Sequence, residues 1–310
     1  MTRKNRNNLK TKKDLKELNS IETIEWVEKQ GMASYRANQI RRWLFTKDIK
    51  AFDEMTDLSE PVRRLLNDRA NLTHLAVVKV ETSEDTTQKF LFRLWDGLLI
   101  ESVLIPEKDH FTIYISSQAG CTMGCRFCLT AKQGFKRNLT TAEIIDQIIM
   151  VRRSMNNPAK LTNIVFMGMG EPLLNYQSVV RAIQNIIGGE GMNFSRRKVT
   201  VSTCGIAPFI VKLGEDTQIN LAVSLNAGDD KIRDYLMPVN KKYPLKSLIS
   251  SCRAFPLPNR GMITFEYILI RGINDRKKDA MNVVRLLSGL KAKINLIALN
   301  PSPCIDMITI

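Results

Sequence analysis

The sequence predicts an α/β fold: a partial, open parallel β/α barrel, preceded by a small helical domain and an antiparallel β bridge. Three observations carry this. From Phe111 onward, short β-branched and aromatic runs alternate with stretches of helical period, the pattern of a parallel sheet built from strand–helix units. Six such strands fit before Asn300, two short of the eight that close a barrel. Ahead of Phe111 the period is first helical and then alternating, so two smaller elements precede the sheet.

Taken in order, residues 1–18 hold seven Lys/Arg against two acids and read as a basic flexible arm. Residues 19–75 read as a helical accessory domain. Ile24, Val27, Ile40, Trp43 and Leu44 recur at helical spacing, Gly31 breaks the run, and Pro61 opens a further helix through Leu65 and Leu66. Residues 76–108 read as the β bridge, with strands Ala76–Val80, Lys89–Leu94 and Leu98–Ile105 and a tight turn at Asp96-Gly97. The main domain covers residues 109–310. Its expected strands are Phe111–Ile115, Asn163–Phe166, Lys198–Ser202, Asn220–Ser224, Met262–Ile268 and Lys293–Leu299. Its expected helices are Thr141–Arg153, capped by Thr140 or Thr141 with Glu143, then Ser178–Ile187, Ala207–Leu213, Leu245–Ala254 and Arg276–Leu287.

Composition narrows the function. The net charge of +15 favours a polyanionic partner, because each neutralised phosphate releases counterions. Basic clusters recur at Arg41-Arg42, Arg196–Lys198, Lys241-Lys242 and Arg276–Lys278. Charge alone does not separate RNA from DNA. The six cysteines form no disulfide framework, no apolar leader opens the chain, and no apolar run has membrane-spanning length. A reduced, cytoplasmic setting is expected.

The most specific motif is Cys121-x₃-Cys125-x₂-Cys128. A structural zinc site takes four ligands, and neither His74 nor His110 falls into zinc spacing with this loop. Three thiolates on one loop suit three irons of a [4Fe–4S] cluster and leave the fourth iron open. An open iron can chelate the amino and carboxyl groups of S-adenosylmethionine (SAM). The loop follows the first barrel strand, at the end where barrel chemistry gathers. The second strand ends Gly168-Met169-Gly170-Glu171-Pro172. Its glycines allow close backbone approach to a ligand, and Glu171 can accept from the methionyl ammonium. Ser202 and Ser224 end the third and fourth strands and suit ribose and carboxylate. Asn300 ends the sixth and can read an adenine edge with donor and acceptor together.

Tyr35–Leu44, Glu101–Pro106, Ser116-Ser117-Gln118, Gln133-Gly134-Phe135, Gly168–Pro172 and Leu236–Asn240 together give the chain a close resemblance. It resembles the radical SAM ribosomal-RNA adenine C2 methyltransferases, the RlmN/Cfr family, over nearly its whole length. The resemblance implies a radical SAM partial barrel and a cluster held by Cys121, Cys125 and Cys128. It implies a SAM site of Gly170, Glu171, Ser202, Ser224, Leu225, Asn226 and Asn300, and Glu101 as the group that takes the C2 proton. It also implies an rRNA substrate with tRNA as a second, an electron donor such as flavodoxin, and a monomer. In that family SAM methylates a protein cysteine, and a 5′-deoxyadenosyl radical from a second SAM activates the S-methyl group for addition to adenine C2.

The sequence departs from the family at three places. Tyr114 stands where the family has a resolving cysteine, Asn226 where it commonly has His, and the tail after Asn300 offers only Cys304 in place of the methyl-carrying cysteine. A second expectation follows: an altered member that binds RNA or runs different radical chemistry.

Overall fold

The computed structural model describes residues 12–47, 49–258, 261–300, 302–305 and 307–308. The chain divides into two units: residues 1–113, 139–162 and 177–195, and residues 114–138, 163–176 and 196–310.

The first unit opens with α1 (Ser20–Lys29), α2 (Arg36–Arg42) and α3 (Glu60–Arg69). Asn19 starts α1 through a reciprocal cap: Glu22 N–H donates to Asn19 Oδ1 at 2.9 Å, and Asn19 N–H donates to Glu22 Oε2 at 3.0 Å. Pro61 sits in the first turn of α3, where its missing N–H costs nothing. Val27, Ile40, Leu44, Phe45 and Leu66 form the core between these helices. The strands β1 (Ala76–Thr82), β2 (Gln88–Arg93) and β3 (Leu99–Pro106) pair antiparallel. The turn between β2 and β3 places Gly97 at φ +89°. Phe90 and Phe92 are buried on β2, with ring centroids 5.9 Å apart. The strand β4 (Phe111–Tyr114) follows, and α4 (Thr141–Ser154) and α5 (Tyr176–Ile187) lie almost wholly in this unit. Thr140 is the residue that caps α4, in a box with Glu143.

The basic arm does not extend to residue 18. Lys13–Asp14 pairs in parallel with Ala70–Asn71, and Leu15 and Lys16 are buried. Leu15 supplies the apolar anchor, and the charge of Lys16 is matched inside the unit by Asp146. The first eleven residues lie outside the described residues.

The second unit is built on β5 (Leu161–Phe166), β6 (Val199–Thr203), β7 (Asn220–Ser224), β8 (Ile263–Leu269) and β9 (Ala292–Ala298). These pair in parallel in chain order, through registers such as Val201↔Phe166, Ser202↔Ala222, Ser224↔Glu266 and Glu266↔Asn295. Buried Ile164, Val201, Leu221, Val223 and Phe265 explain why the strands read as apolar runs. Between them run α6 (Ala207–Thr217), α7 (Asp230–Leu236), α8 (Leu245–Ala254) and α9 (Lys277–Leu287). Among the described residues β9 pairs only with β8, so this sheet is open rather than closed. Ile294 and Leu296 on β9 remain 44% and 63% exposed, an uncovered apolar edge.

The helix α7 is absent from the expected elements. It is only seven residues long, so it carries too little period to recognise. Its one local signal is Asp229, whose Oδ1 accepts from Ile232 N–H at 3.0 Å as a helix cap.

Candidate active site at the strand ends

The cysteine loop is clamped at its base and pinned at its middle. Gln118–Ala119 pairs antiparallel with Arg137–Asn138, and Lys136 N–H donates to Ala119 O at 2.9 Å. Inside the loop, Met123 N–H donates to Cys121 Sγ at 3.5 Å and Cys128 N–H to Cys125 O at 3.1 Å. Arg126 N–H donates to Leu236 O of α7 at 3.0 Å, and its guanidinium lies 4.3 Å from the centre of the Tyr235 ring.

One cavity is lined by Cys121, Cys125 and Cys128 together with Gly170, Glu171, Ser202, Ser224 and Asn226. Eight of the residues expected from the sequence thus meet at the C-terminal ends of the parallel strands. Leu225 is adjacent but turned into the core, wholly buried, with its N–H donating to Glu266 O at 2.9 Å. Asn300 is exposed and does not line this cavity. Glu101 belongs to β3 of the other unit, where its carboxylate stands 3.6 Å from Lys89 Nζ.

Glu171 is 3% exposed. Its Oε1 accepts from Leu173 N–H at 3.0 Å and its Oε2 from Cys204 N–H at 2.7 Å. Burial raises its pKa, and those bonds to Cys204 and Leu173 oppose the rise.

Gly168 and Gly170 line the cavity, and the neighbouring chain also requires them. A Cβ on Gly168 would stand 2.7 Å from the backbone carbon of Ile115. On Gly170, at φ +97°, it would stand 2.4 Å from Gln118 Cβ. The turn is pressed against residues 115–118 and bonded to them: Met169 N–H donates to Ser116 Oγ at 2.8 Å, and Glu171 N–H donates to Gln118 Oε1 at 2.9 Å. The glycines allow chain-to-chain contact, and this contact is what aims Glu171.

Asn226 is also more deeply engaged than a ligand residue need be. It sits at φ +58°, the left-handed region that Asn tolerates. Its Oδ1 accepts from Ile268 N–H at 2.8 Å, its Nδ2 lies 3.2 Å from Met237 Sδ, and its carbonyl accepts from Asn274 Nδ2 at 2.9 Å. It ties the mouth of β7 to that of β8.

Several lining residues, Glu266 and Met237 among them, were not expected at the site, and Cys204 lines it as well. Glu266 on β8 accepts from Asn295 Nδ2 at 2.7 Å, Met237 follows α7, and Cys204 follows β6. Only the β8 placement of Glu266, on an apolar strand, was a signal that could have found it. Burial, with Glu171 next, pushes the Cys204 thiol well above its ordinary range, as befits a packed, unreactive group. Cys304 is exposed in the tail.

The donor set fits an iron–sulfur cluster better than a single ion. No three His, Cys, Asp or Glu side chains among the described residues converge as one metal ion requires. A cubane carries its irons on separate corners, so thiolates serving it need not converge on a point. Burial pushes the Cys125 thiol up to about 12 and raises Cys121 as well. A cluster held by these thiols would be bound with release of their protons.

The radical SAM superfamily model matches residues 115–284, and the model of a ribosomal RNA large subunit methyltransferase N-terminal domain matches residues 13–72. The dual-specificity RNA methyltransferase RlmN of Desulfosudis oleivorans is 51% identical over 276 residues, covering 89% of this chain and 74% of that protein. The protein of the same name from Syntrophus aciditrophicus is 51% identical over 278 residues, covering 90% of this chain and 80% of its own. A crystal structure of a radical SAM methyltransferase from Sphaerobacter thermophilus superposes with a TM-score of 0.89 at 41% identity, over 95% of this chain and 87% of that one. The chain belongs to the radical SAM superfamily and, within it, to the family of the RlmN RNA methyltransferases.

Proposed function

We propose that this chain methylates adenine in ribosomal RNA, with transfer RNA as a second substrate, and that it does so with the cavity at the ends of β5–β8. The observation that carries the reading is the meeting of Cys121, Cys125 and Cys128 with Glu171, Ser202 and Ser224 in one cavity. Proteins of this family use a [4Fe–4S] cluster and SAM, and when bound these supply a carbon-centred radical strong enough to activate a C–H bond.

In this proposal the three cysteines hold the cluster. Glu171, held by two backbone N–H groups, accepts the ammonium of SAM. Ser202 and Ser224 offer hydroxyls to its carboxylate and ribose. Leu225 and Asn226 act through the backbone they brace, and Asn300 contributes from outside the cavity. Glu101 is the base that takes the proton from the RNA. Exposed Arg196–Lys198, Lys241-Lys242 and Arg276–Lys278 supply phosphate contacts. Arg41 does not join them, because it is 2% exposed and donates to Leu18 O, Thr23 Oγ1 and Asn185 Oδ1. A one-electron donor such as flavodoxin, a monomeric state and a cytoplasmic location complete the proposal. No helix among the described residues is long and apolar enough to cross a membrane.

The test is anaerobic reconstitution with iron and sulfide, followed by SAM and a reductant. Formation of 5′-deoxyadenosine is expected, and its absence rejects the radical reading. Mass analysis of incubated RNA is expected to show 2-methyladenine. Deoxyadenosine without methylated RNA would instead favour an altered member of the family.

A further inference from the structure

Arg233 is wholly buried and does not face a carboxylate. Its guanidinium donates to three main-chain carbonyls and one amide: Nη2 to Cys204 O at 2.7 Å and Ser224 O at 3.1 Å, Nε to Leu225 O at 3.1 Å, and Nη1 to Asn240 Oδ1 at 2.9 Å. Among the described residues no acid lies within ion-pair distance of it. Asp230 acts on it through space without pairing with it, and Asn240, which Arg233 does bond, donates to Asp230 Oδ1 at 2.9 Å and Asp234 Oδ1 at 2.7 Å. Arginine is almost never fully buried unless paired, because burying an unmatched charge is costly. No carboxylate among the described residues pairs directly with Arg233 to match that charge.

The cavity is where a matching charge belongs. Arg233 holds the carbonyls of Cys204 and Ser224, both of which line it. The same helix carries Leu236, which pins the cysteine loop through Arg126 N–H. A [4Fe–4S] core of charge 2+ bound by three thiolates carries one net negative charge, and a second once it takes an electron. Inside a low-dielectric wall, one guanidinium offsets the first and favours arrival of the second.

We propose that Arg233 is a positioning residue with two duties: it fixes the strand-end carbonyls around the cavity, and its unpaired charge is the counter-charge of the cysteine-bound cluster, holding the cluster reducible. The proposal rests on the reading that Cys121, Cys125 and Cys128 hold that cluster.

The test is a redox titration of the reconstituted full chain, followed by the electron paramagnetic resonance signal of the reduced cluster. In Arg233→Gln the midpoint is expected to move to more negative potential at unchanged iron content. Arg233→Lys keeps the charge and is expected to stay at the wild-type midpoint. Asp234→Asn removes a negative charge from behind Asn240 and is expected to move the midpoint to more positive potential. Unmoved midpoints in Arg233→Gln and Asp234→Asn, with full iron, would overturn the proposal. Should Arg233→Gln fail to fold, Asp234→Asn decides alone, and an unmoved midpoint there overturns it. A wild-type chain that takes up no iron at all would sink the cluster reading itself, an outcome distinct from unmoved midpoints.

Discussion

Lys16 Nζ lies 2.5 Å from Asp146 Oδ1, and the two side chains are 2% and 0% exposed. Lys16 also donates to Thr73 O at 2.5 Å, and Asp146 Oδ2 accepts from Leu75 N–H at 2.6 Å. The pair joins the N-terminal segment, the residues leading into β1 and the helix α4 in one buried network. Removing one partner strands the other charge, and such losses run to about 3–5 kcal/mol. Lys16→Met is expected to lower the urea midpoint strongly without changing the m-value. The double variant Lys16→Met/Asp146→Leu is expected to recover part of the loss, because it leaves no orphaned charge. Equal losses in single and double variants would show that the ion pair is not the source.

Glu171→Gln tests the SAM contact. Gln offers one acceptor oxygen where Glu171 uses two, so either Cys204 N–H or Leu173 N–H loses its partner. A buried unpaired N–H costs about 1–3 kcal/mol. The ammonium of SAM loses its counter-charge as well. The expected outcome is a modest fall in melting temperature and at least a tenfold weaker SAM affinity by equilibrium dialysis on the cluster-loaded protein. Unchanged affinity would remove Glu171 from the site.

Asn226→Ala separates bracing from ligand contact. The change unpairs Ile268 N–H and leaves a Cβ residue at φ +58°. The unpaired donor costs about 1–3 kcal/mol and the left-handed backbone about 1–2 kcal/mol. Asn226→Gly relieves the backbone strain but not the lost bond. Melting temperatures are therefore expected in the order wild type, Gly, Ala. Ala at or above Gly would show that the turn is not strained.

How much of this was legible in the sequence depends on how the information is stored. The parallel strands β5 to β8 were readable because each buries apolar residues, as Leu221 to Val223 do on β7, whereas β9 was readable from its β-branched and apolar residues although it buries none of them. The cap at Thr140 was readable because a capping box is a local code. The cysteine loop was readable because its ligands lie within eight residues of one another. The partner of Lys16, 130 residues away, was not readable, and the segment around it passed for a flexible arm. Arg233 was hidden for the same reason: its partners include three carbonyls at two strand ends, and carbonyls leave no mark in a sequence. The glycines of the Gly168–Glu171 turn were visible, but their packing against the chain at 115–118 was not, because that contact lies some fifty residues away in sequence.

Glu101→Gln is expected to abolish 2-methyladenine while leaving 5′-deoxyadenosine formation intact. The amide keeps the size of Glu101 but cannot take a proton, and it leaves Lys89 paired with Glu81 at 3.0 Å. Liquid chromatography of both products from one reaction reads the two steps separately. Methylated RNA at the wild-type level would reject Glu101 as the base.

The basic clusters make opposite predictions although they look alike as sequence. Arg196, Arg197 and Lys198 are all exposed on a short 3-10 turn before β6. Replacing the three with Ala removes up to three phosphate contacts, each contributing about 0.7–0.9 to the slope of log affinity against log salt. A flatter slope with little change in melting temperature is expected. Arg41 is buried on α2, and burial lowers its pKa to about 10 without freeing it from its carbonyl partners. Arg41→Met is expected to cost stability, because Leu18 O and Asn185 Oδ1 lose a donor in the core, and to leave the salt slope where it was. Filter binding to an rRNA fragment between low and moderate salt, run beside thermal melts, separates the two. A slope that changed in Arg41→Met and held in the triple variant would reverse the assignment of phosphate contacts.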